Sequence, residues 1–324
     1  MKNRRFGRKQ WPVGEIGYGM WGMGGWSGSD DEESLRSLQR AVDLGVNFFD
    51  TAWAYGEGHS EGLLGRLVRA NPDRKLYTAS KIPPKNRQWP SRRDAALDDA
   101  FPPDYIEEYV HSSLKNSGLG SLDLMQFHVW EDAWATDDRW AKKLDELRGQ
   151  GLINAVGISI NRWEPWNGVR AVRSGLVDSV QIIYNIFDQN PEDELFPACA
   201  EMDVAVIARV PFDEGTLTGT LNVESRWPEG DWRNTYFVPE NLIPSVARAD
   251  ALKPLAGRAG LTMPEMALRF ILSNPVVSTI IPGMRKIENV EANVAASDAG
   301  SLAPELLEEL GAHRWERAPK SWSQ

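Results

Sequence analysis

Eight short apolar runs, at residues 13–19, 46–49, 76–80, 122–127, 153–158, 179–183, 204–208 and 277–281, punctuate this chain. Between them lie segments of helical periodicity at 32–44, 60–69, 104–117, 138–150, 164–174, 191–202 and 263–273. Short runs rich in Val, Ile and Leu read as strands buried on both faces, and helices between them return the chain so that successive strands run parallel. Eight such units, with no linker between two halves, predict a closed (β/α)8 TIM barrel of the α/β class rather than two open sheets, one domain over residues 1–324. Ahead of the first unit, residues 5–13 are polar with Gly7 near the middle, which predicts an amino-terminal β-hairpin closing the bottom of the barrel. Two stretches, 82–103 and 211–241, are too long for ordinary connections and rich in Pro and Trp, as loops that carry function are.

Charge narrows the partners. A formal net charge of -10 repels a polyanion, and the basic residues form no stripe beyond the short cluster Lys2, Arg4, Arg5, Arg8 and Lys9, so nucleic acid is not an expected partner. No apolar run is long enough to span a bilayer, and the amino terminus lacks the apolar core of a signal peptide. The single cysteine, Cys199, leaves no intramolecular disulfide, and His59, His111, His128 and His313 lack metal-ligand spacing. The expectation is a cytoplasmic protein without membrane or metal; oligomeric state leaves no such signature.

The ends of the strands carry the chemistry. The run 46–49 delivers Asp50 and, one loop turn later, Tyr55; 76–80 leads into Lys81; 122–127 leads into His128. Singly these read as a turn cap, a rim phenol, a surface lysine and a core histidine. On a barrel, though, the carboxyl ends of neighbouring strands converge, so Asp50, Tyr55, Lys81 and His128 are expected to share one mouth. Gly17-Tyr18-Gly19-Met20-Trp21-Gly22 matches a dinucleotide fingerprint, but Met23-Gly24-Gly25-Trp26-Ser27-Gly28 cannot start the helix that the fingerprint needs. It reads instead as a glycine-rich first loop whose Met20, Trp21 and Trp26 lie over a ligand. Trp21, Trp26, Trp53, Trp89 and Trp130, with Trp227 or Trp232, are the candidate walls of a substrate pocket, core packing being the alternative for each.

Taken together the chain resembles the aldo-keto reductases over nearly its full length. The resemblance rests on Gly45-Val46-Asn47-Phe48-Phe49-Asp50-Thr51-Ala52 with Tyr55-Gly56, Thr78-Ala79-Ser80-Lys81, and Asp123-Leu124-Met125-Gln126-Phe127-His128. It continues through Gly157-Ile158-Ser159, Gln181, Tyr184-Asn185, Pro211-Phe212, Gly215-Thr216-Leu217-Thr218-Gly219 and Ile281-Pro282-Gly283. It implies an NADPH-dependent barrel that reduces an aldehyde, ketone or sugar carbonyl, with Asp50, Tyr55, Lys81 and His128 as the family's catalytic tetrad. By the same resemblance Ser159 and Gln181 face the nicotinamide carboxamide, although Ile160 stands where the family has asparagine and Asn161 comes one place later. Arg209 occupies the place of a ring that stacks on the nicotinamide, a salt bridge across the mouth being the alternative. Phe212, Gly215 and Leu217 belong to a pyrophosphate strap. The segment from Gly283 to Asn293 resembles the one that grips the adenosine 2′-phosphate, with Arg285 and Asn293 as the contacts and Lys286 and Asn289 assisting, although the family often has Gln at 289 and Glu at Ala292. A phenol beside an ammonium suits delivery of a proton to a developing alkoxide. The expected cofactor is NADP(H), the expected partner a small carbonyl compound or its alcohol. A non-catalytic, cofactor-sensing binding subunit on the same barrel is the main rival, a lyase or isomerase the second; the intact tetrad argues against both.

Overall fold

The computed structural model describes residues 1–25 and 28–320. Its first two strands, β1 (Asn3–Phe6) and β2 (Trp11–Gly14), form an antiparallel hairpin around Gly7. Eight parallel strands follow, β3 (Tyr18–Gly19), β4 (Phe48–Asp50), β5 (Tyr77–Ile82), β6 (Leu122–Phe127), β7 (Ile153–Ser159), β8 (Ser179–Ile183), β9 (Ala205–Arg209) and β10 (Val277–Ile280), each hydrogen-bonded to the next in order. β3 returns to β10 through bridges at Ile16–Ile280 and Gly19–Gly283, with the Gly17 amide donating to the Ile280 carbonyl at 2.7 Å and Gly19 to Pro282 at 3.0 Å. This is the barrel that the periodicity predicts.

The first two glycines of the apparent fingerprint, Gly17 and Gly19, belong to that seam. A Cβ on Gly19 would sit 2.6 Å from the Ile281 carbonyl oxygen, so only glycine lets the first strand approach the last. Beyond them Trp21–Met23 makes a single 3-10 turn and the helix Asp31–Asp43 starts later, capped by the Asp30 side chain on the Glu33 amide. The apolar run 13–19 therefore divides, its start in the hairpin and its end in the barrel. The helix expected over 164–174 shrinks to Val169–Arg173, and a 20-residue helix, Pro239–Arg258, stands where its internal Pro244 and Pro254 had hidden a helical pattern.

Side chains two apart on a strand share a face, and the inward face changes character from bottom to top. At the bottom Phe48, Tyr77, Ala79, Leu124, Ala155, Ala205 and Ile207 form an apolar plug around Phe6 of the hairpin, whose ring lies 5.5 Å from that of Phe48. Arg4 fastens the hairpin below by donating to the carbonyls of Asn274 (3.0 Å) and Val277 (2.8 Å). Two residues further along the same strands the face becomes polar: Asp50 follows Phe48, Lys81 follows Ala79, Gln126 follows Leu124, and Arg209 follows Ile207. One pleat thus builds both the plug and the polar mouth.

Candidate active site

Lys81 is wholly buried, so its ammonium requires compensation. Nζ donates to Asp50 Oδ1 in a short ion pair, to the Thr51 carbonyl at 2.7 Å and to the Tyr55 hydroxyl at 3.4 Å. Burial alone would lower its pKa, but Asp50 and then Tyr55 outweigh burial and hold it above the ordinary 10.5, so the lysine is charged. The other oxygen of Asp50 accepts from Gln126 Nε2 at 2.8 Å and Gln181 Nε2 at 2.9 Å, and Gln181 also donates to Gln126 Oε1 at 3.2 Å. Gly157 makes room for this pair, since a Cβ there would lie 2.9 Å from Gln126 Cγ. Gln126 carried no role in the sequence reading, although its place two residues before His128 on an inward face was a signal. Gln181, expected at the carboxamide, turns its amide toward Asp50; Ser159 pairs with it in register and is buried.

His128 stands edge-on to Tyr55, ring centroids 5.7 Å apart, and to Trp89 at 5.8 Å. Burial, then the charges of Lys81 and Arg209, push its pKa well below 6.5, so the ring is neutral, and its Nδ1 meets no partner among the described residues. A histidine neutral in the fold but protonated when unfolded makes stability fall with acid, beginning where the unfolded ring titrates near pH 6.5. Between about pH 7 and 5.5 that linkage removes about 1 kcal/mol of stability. In denaturant titrations at those two pH values His128→Gln should lose about that much less than the parent; equal losses would show that His128 ionises freely in the fold.

Arg209 closes the group from β9. One guanidinium nitrogen donates to the Ile160 carbonyl at 3.3 Å, Nε has no partner, and no carboxylate lies within ion-pair distance among the described residues. The salt bridge across the mouth is thus not formed. Beyond Arg209 the chain enters a strained loop in which Val210, Asp213 and Glu214 have φ of 54°, 46° and 57°. Left-handed backbone costs each such residue about 1–2 kcal/mol and persists only where neighbours impose it. Buried Asp213 is gripped by Arg162 at 3.3 Å and Arg317 at 2.9 Å, while Leu217 is anchored in the core.

A family model described as Aldo/keto reductase family matches residues 15–314, an interval that takes in every strand of the barrel. The chain belongs to the aldo/keto reductase family. It is 28% identical to the NADH-specific methylglyoxal reductase of Escherichia coli (strain K12), over 96% of this chain and 99% of that one. An aldo-keto reductase of Bacillus subtilis (strain 168) is 30% identical over 86% of this chain and 83% of its own. Among solved structures, the glycerol dehydrogenase of Gluconobacter oxydans has a TM-score of 0.78 at 26% identity, covering 99% of this chain and 98% of that one. As an aldo/keto reductase the protein is an oxidoreductase acting on carbonyl compounds.

The aromatic residues divide on this reductase barrel. Trp89 faces His128; Trp53 packs on Tyr109 at 5.0 Å and donates to Ser112 Oγ at 3.1 Å. Trp21 is 43% exposed and meets Trp232 edge-on at 5.6 Å, and Trp227 stacks on Phe237 at 5.1 Å. Trp130 departs from expectation: 1% exposed, it fills a cluster with Phe127, Trp134 and Trp140, because the loop after β6 folds it back behind the strand. It is core, not pocket wall. Met20 likewise buries its side chain in the core, with its amide donating to the Asp50 carbonyl at 2.9 Å and its carbonyl accepting from Ser60 Oγ at 3.2 Å, and Trp26 lies outside the described residues. Asn161, one place late for the family's asparagine, accepts from the Trp163 amide at 3.0 Å and so serves its own turn. Gly283 lies on the seam, exposed; Arg285 is half-buried; Lys286 and Asn289 are exposed; Asn293 is buried, its Nδ2 without a partner among the described residues.

Proposed function

We propose that this protein reduces a small aldehyde, ketone or sugar carbonyl to the alcohol with NADP(H), Tyr55 acting as the general acid, as one barrel domain in the cytoplasm. The observation that carries the reading is the buried Lys81 ammonium lying between Asp50 and the Tyr55 hydroxyl. Reduced nicotinamide supplies the hydride when bound. The chain's own work is with the proton: Tyr55 donates to the developing alkoxide, and charged Lys81 stabilises the phenolate that results. Asp50, held by Gln126 and Gln181, keeps the ammonium in place. Neutral His128 offers one N–H to hold the carbonyl oxygen beside Tyr55. Buried nitrogens without partners among the described residues, at His128, Arg209 and Asn293, fit a site that a dinucleotide and a carbonyl compound complete. The planar Arg209 guanidinium suits stacking on the nicotinamide. Among the described residues no helix is long and apolar enough to cross a membrane. Nothing among these residues favours the non-catalytic, cofactor-sensing alternative. Oxidation of NADPH against a panel of aldehydes, ketones and sugars tests the reading; no turnover with any class would refute it.

The Escherichia coli relative is by its name NADH-specific, so the choice of NADP(H) rests on this chain's residues. Arg285 lies between the seam and the helix Ile287–Ala299, with no acidic residue from Pro282 to Ile287 to repel a phosphate or claim a ribose hydroxyl. A charge-assisted contact contributes ~1.5–3 kcal/mol, so NADPH should bind roughly ten- to a hundredfold tighter than NADH at low salt. Arg285→Ala should erase most of that gap by weakening NADPH and sparing NADH, as read by fluorescence titration. Equal affinities in the parent, or a variant that keeps its preference, would remove the phosphate from Arg285.

A further inference from the structure

The tail beyond the helix Pro304–Gly311 places an arginine where a surface extension has no need of one. Arg317 is only 4% exposed at its side chain; it donates to Asp188 at 2.6 Å and to both oxygens of Asp213 at 2.9 and 3.3 Å. Arg162, equally buried, pairs with the same two aspartates at 3.6 and 3.3 Å and donates to the Tyr236 hydroxyl at 2.6 Å. Two arginines and two aspartates from the loops after β7, β8 and β9 and from the tail thus form one buried cluster, with the Glu214 carboxyl facing both arginines. Asn185 joins it to the strained backbone, its amide donating to Asp188 at 3.0 Å and to the Val210 carbonyl at 3.1 Å. Trp315 seats the tail, its amide donating to the Phe187 carbonyl at 2.8 Å and its ring lying under the Arg317 guanidinium at 4.5 Å. The family match ends at residue 314, so the latch lies outside the region that the match accounts for.

We propose that Arg317 is a positioning residue for the bound dinucleotide, the carboxy-terminal tail latching the loop Asp213–Thr218 in the form that encloses it. The inference rests on the cofactor reading above. Val210, Asp213 and Glu214 leave left-handed φ unless something holds them, and Arg317 is the member of the cluster borne by a tail that can undock without opening a barrel strand. Loss of its charge leaves two buried aspartates facing one arginine, and the repulsion falls on Asp213.

The test uses the full chain with Arg317→Ala, Arg317→Lys, and Arg314→Ala as a control, since Arg314 pairs with Asp193 and Glu316 at the surface of the same tail. Stopped-flow tryptophan fluorescence should give an NADPH dissociation rate raised about tenfold in Arg317→Ala, with KM for NADPH rising and KM for the carbonyl substrate little changed. Arg317→Lys should recover part of the effect, and Arg314→Ala should match the parent. In the ligand-free protein, amide exchange over residues 210–219 should quicken in Arg317→Ala alone. A parent-like dissociation rate in Arg317→Ala overturns the latch, whatever the exchange. Should Arg317→Ala not fold, Arg317→Gln takes its place, and a parent-like rate there overturns it equally. A parent that binds neither NADPH nor NADH overturns the latch together with the cofactor reading, and so distinguishes the two failures.

Discussion

Tyr55→Phe should lower kcat by 10²-fold or more while NADPH affinity stays within about twofold of the parent. The substitution removes one oxygen, and that oxygen is the atom to which Lys81 donates at 3.4 Å. The ring can keep its edge-on contact with His128, so packing at the mouth persists. Loss of a general acid with its scaffold intact appears in kcat and kcat/KM together, because the contact matters in the transition state and little in the ground state. Single-turnover kinetics in both directions would separate this step from cofactor release. A kcat within tenfold of the parent would take the proton from another group.

Lys81→Met should lower the rate by a similar factor and, unlike Tyr55→Phe, destabilise the fold. Without the ammonium, Asp50 is a carboxylate only 2% exposed that keeps its two amide donors and loses its counter-charge. Breaking a buried pair by removing one partner costs about 3–5 kcal/mol. The pH dependence follows from the raised pKa of Lys81. A group protonated more firmly in the fold stabilises fully below its unfolded value, about 10.4 for lysine, and that contribution is lost only as pH rises through the higher folded value. The deficit of the variant should therefore be constant from about pH 6 to 9 in denaturant unfolding. Activity should behave otherwise. In alcohol oxidation, where the phenolate is the base, raising the pH should shrink the rate loss, because hydroxide replaces what the ammonium supplied. A profile of unchanged shape would leave Lys81 a structural role only.

Much of this was legible in the sequence because a barrel reduces a three-dimensional question to strand ends. Asp50, Lys81 and His128 each close an apolar run, and parallel pairing then brings them together without knowledge of any loop. The first run misled because hydrophobicity continues across the change from hairpin to barrel, and only the approach of Gly19 to the Ile281 carbonyl reveals the seam. The role of Gln126 and the bond of Gln181 to Asp50 escaped for another reason: which carboxylate a buried amide turns to depends on registers summed over several strands. Trp130 and Trp89 are equivalent in composition, and loop geometry alone sends one to the core and the other to His128. Arg317 left no trace at all. It sits in a polar tail that reads as solvated, and its partners lie 104 and 129 residues away.

The satisfaction of Lys81 sets a direction for proton traffic. Its three N–H bonds go to Asp50, the Thr51 carbonyl and Tyr55, so none is left to recruit water from beneath. Below lies the apolar plug around Phe6, which puts side chains without hydrogen-bonding groups, Phe48, Ala79 and Leu124, under the polar mouth. On the proposed mechanism, a proton given up by Tyr55 is then replaced from the side of the mouth, where His128 stands, and not through the plug. The same reading puts the alcohol product beside the group that must be reprotonated, so a bulky alcohol slow to leave His128 and Trp89 would also delay recharging of the acid.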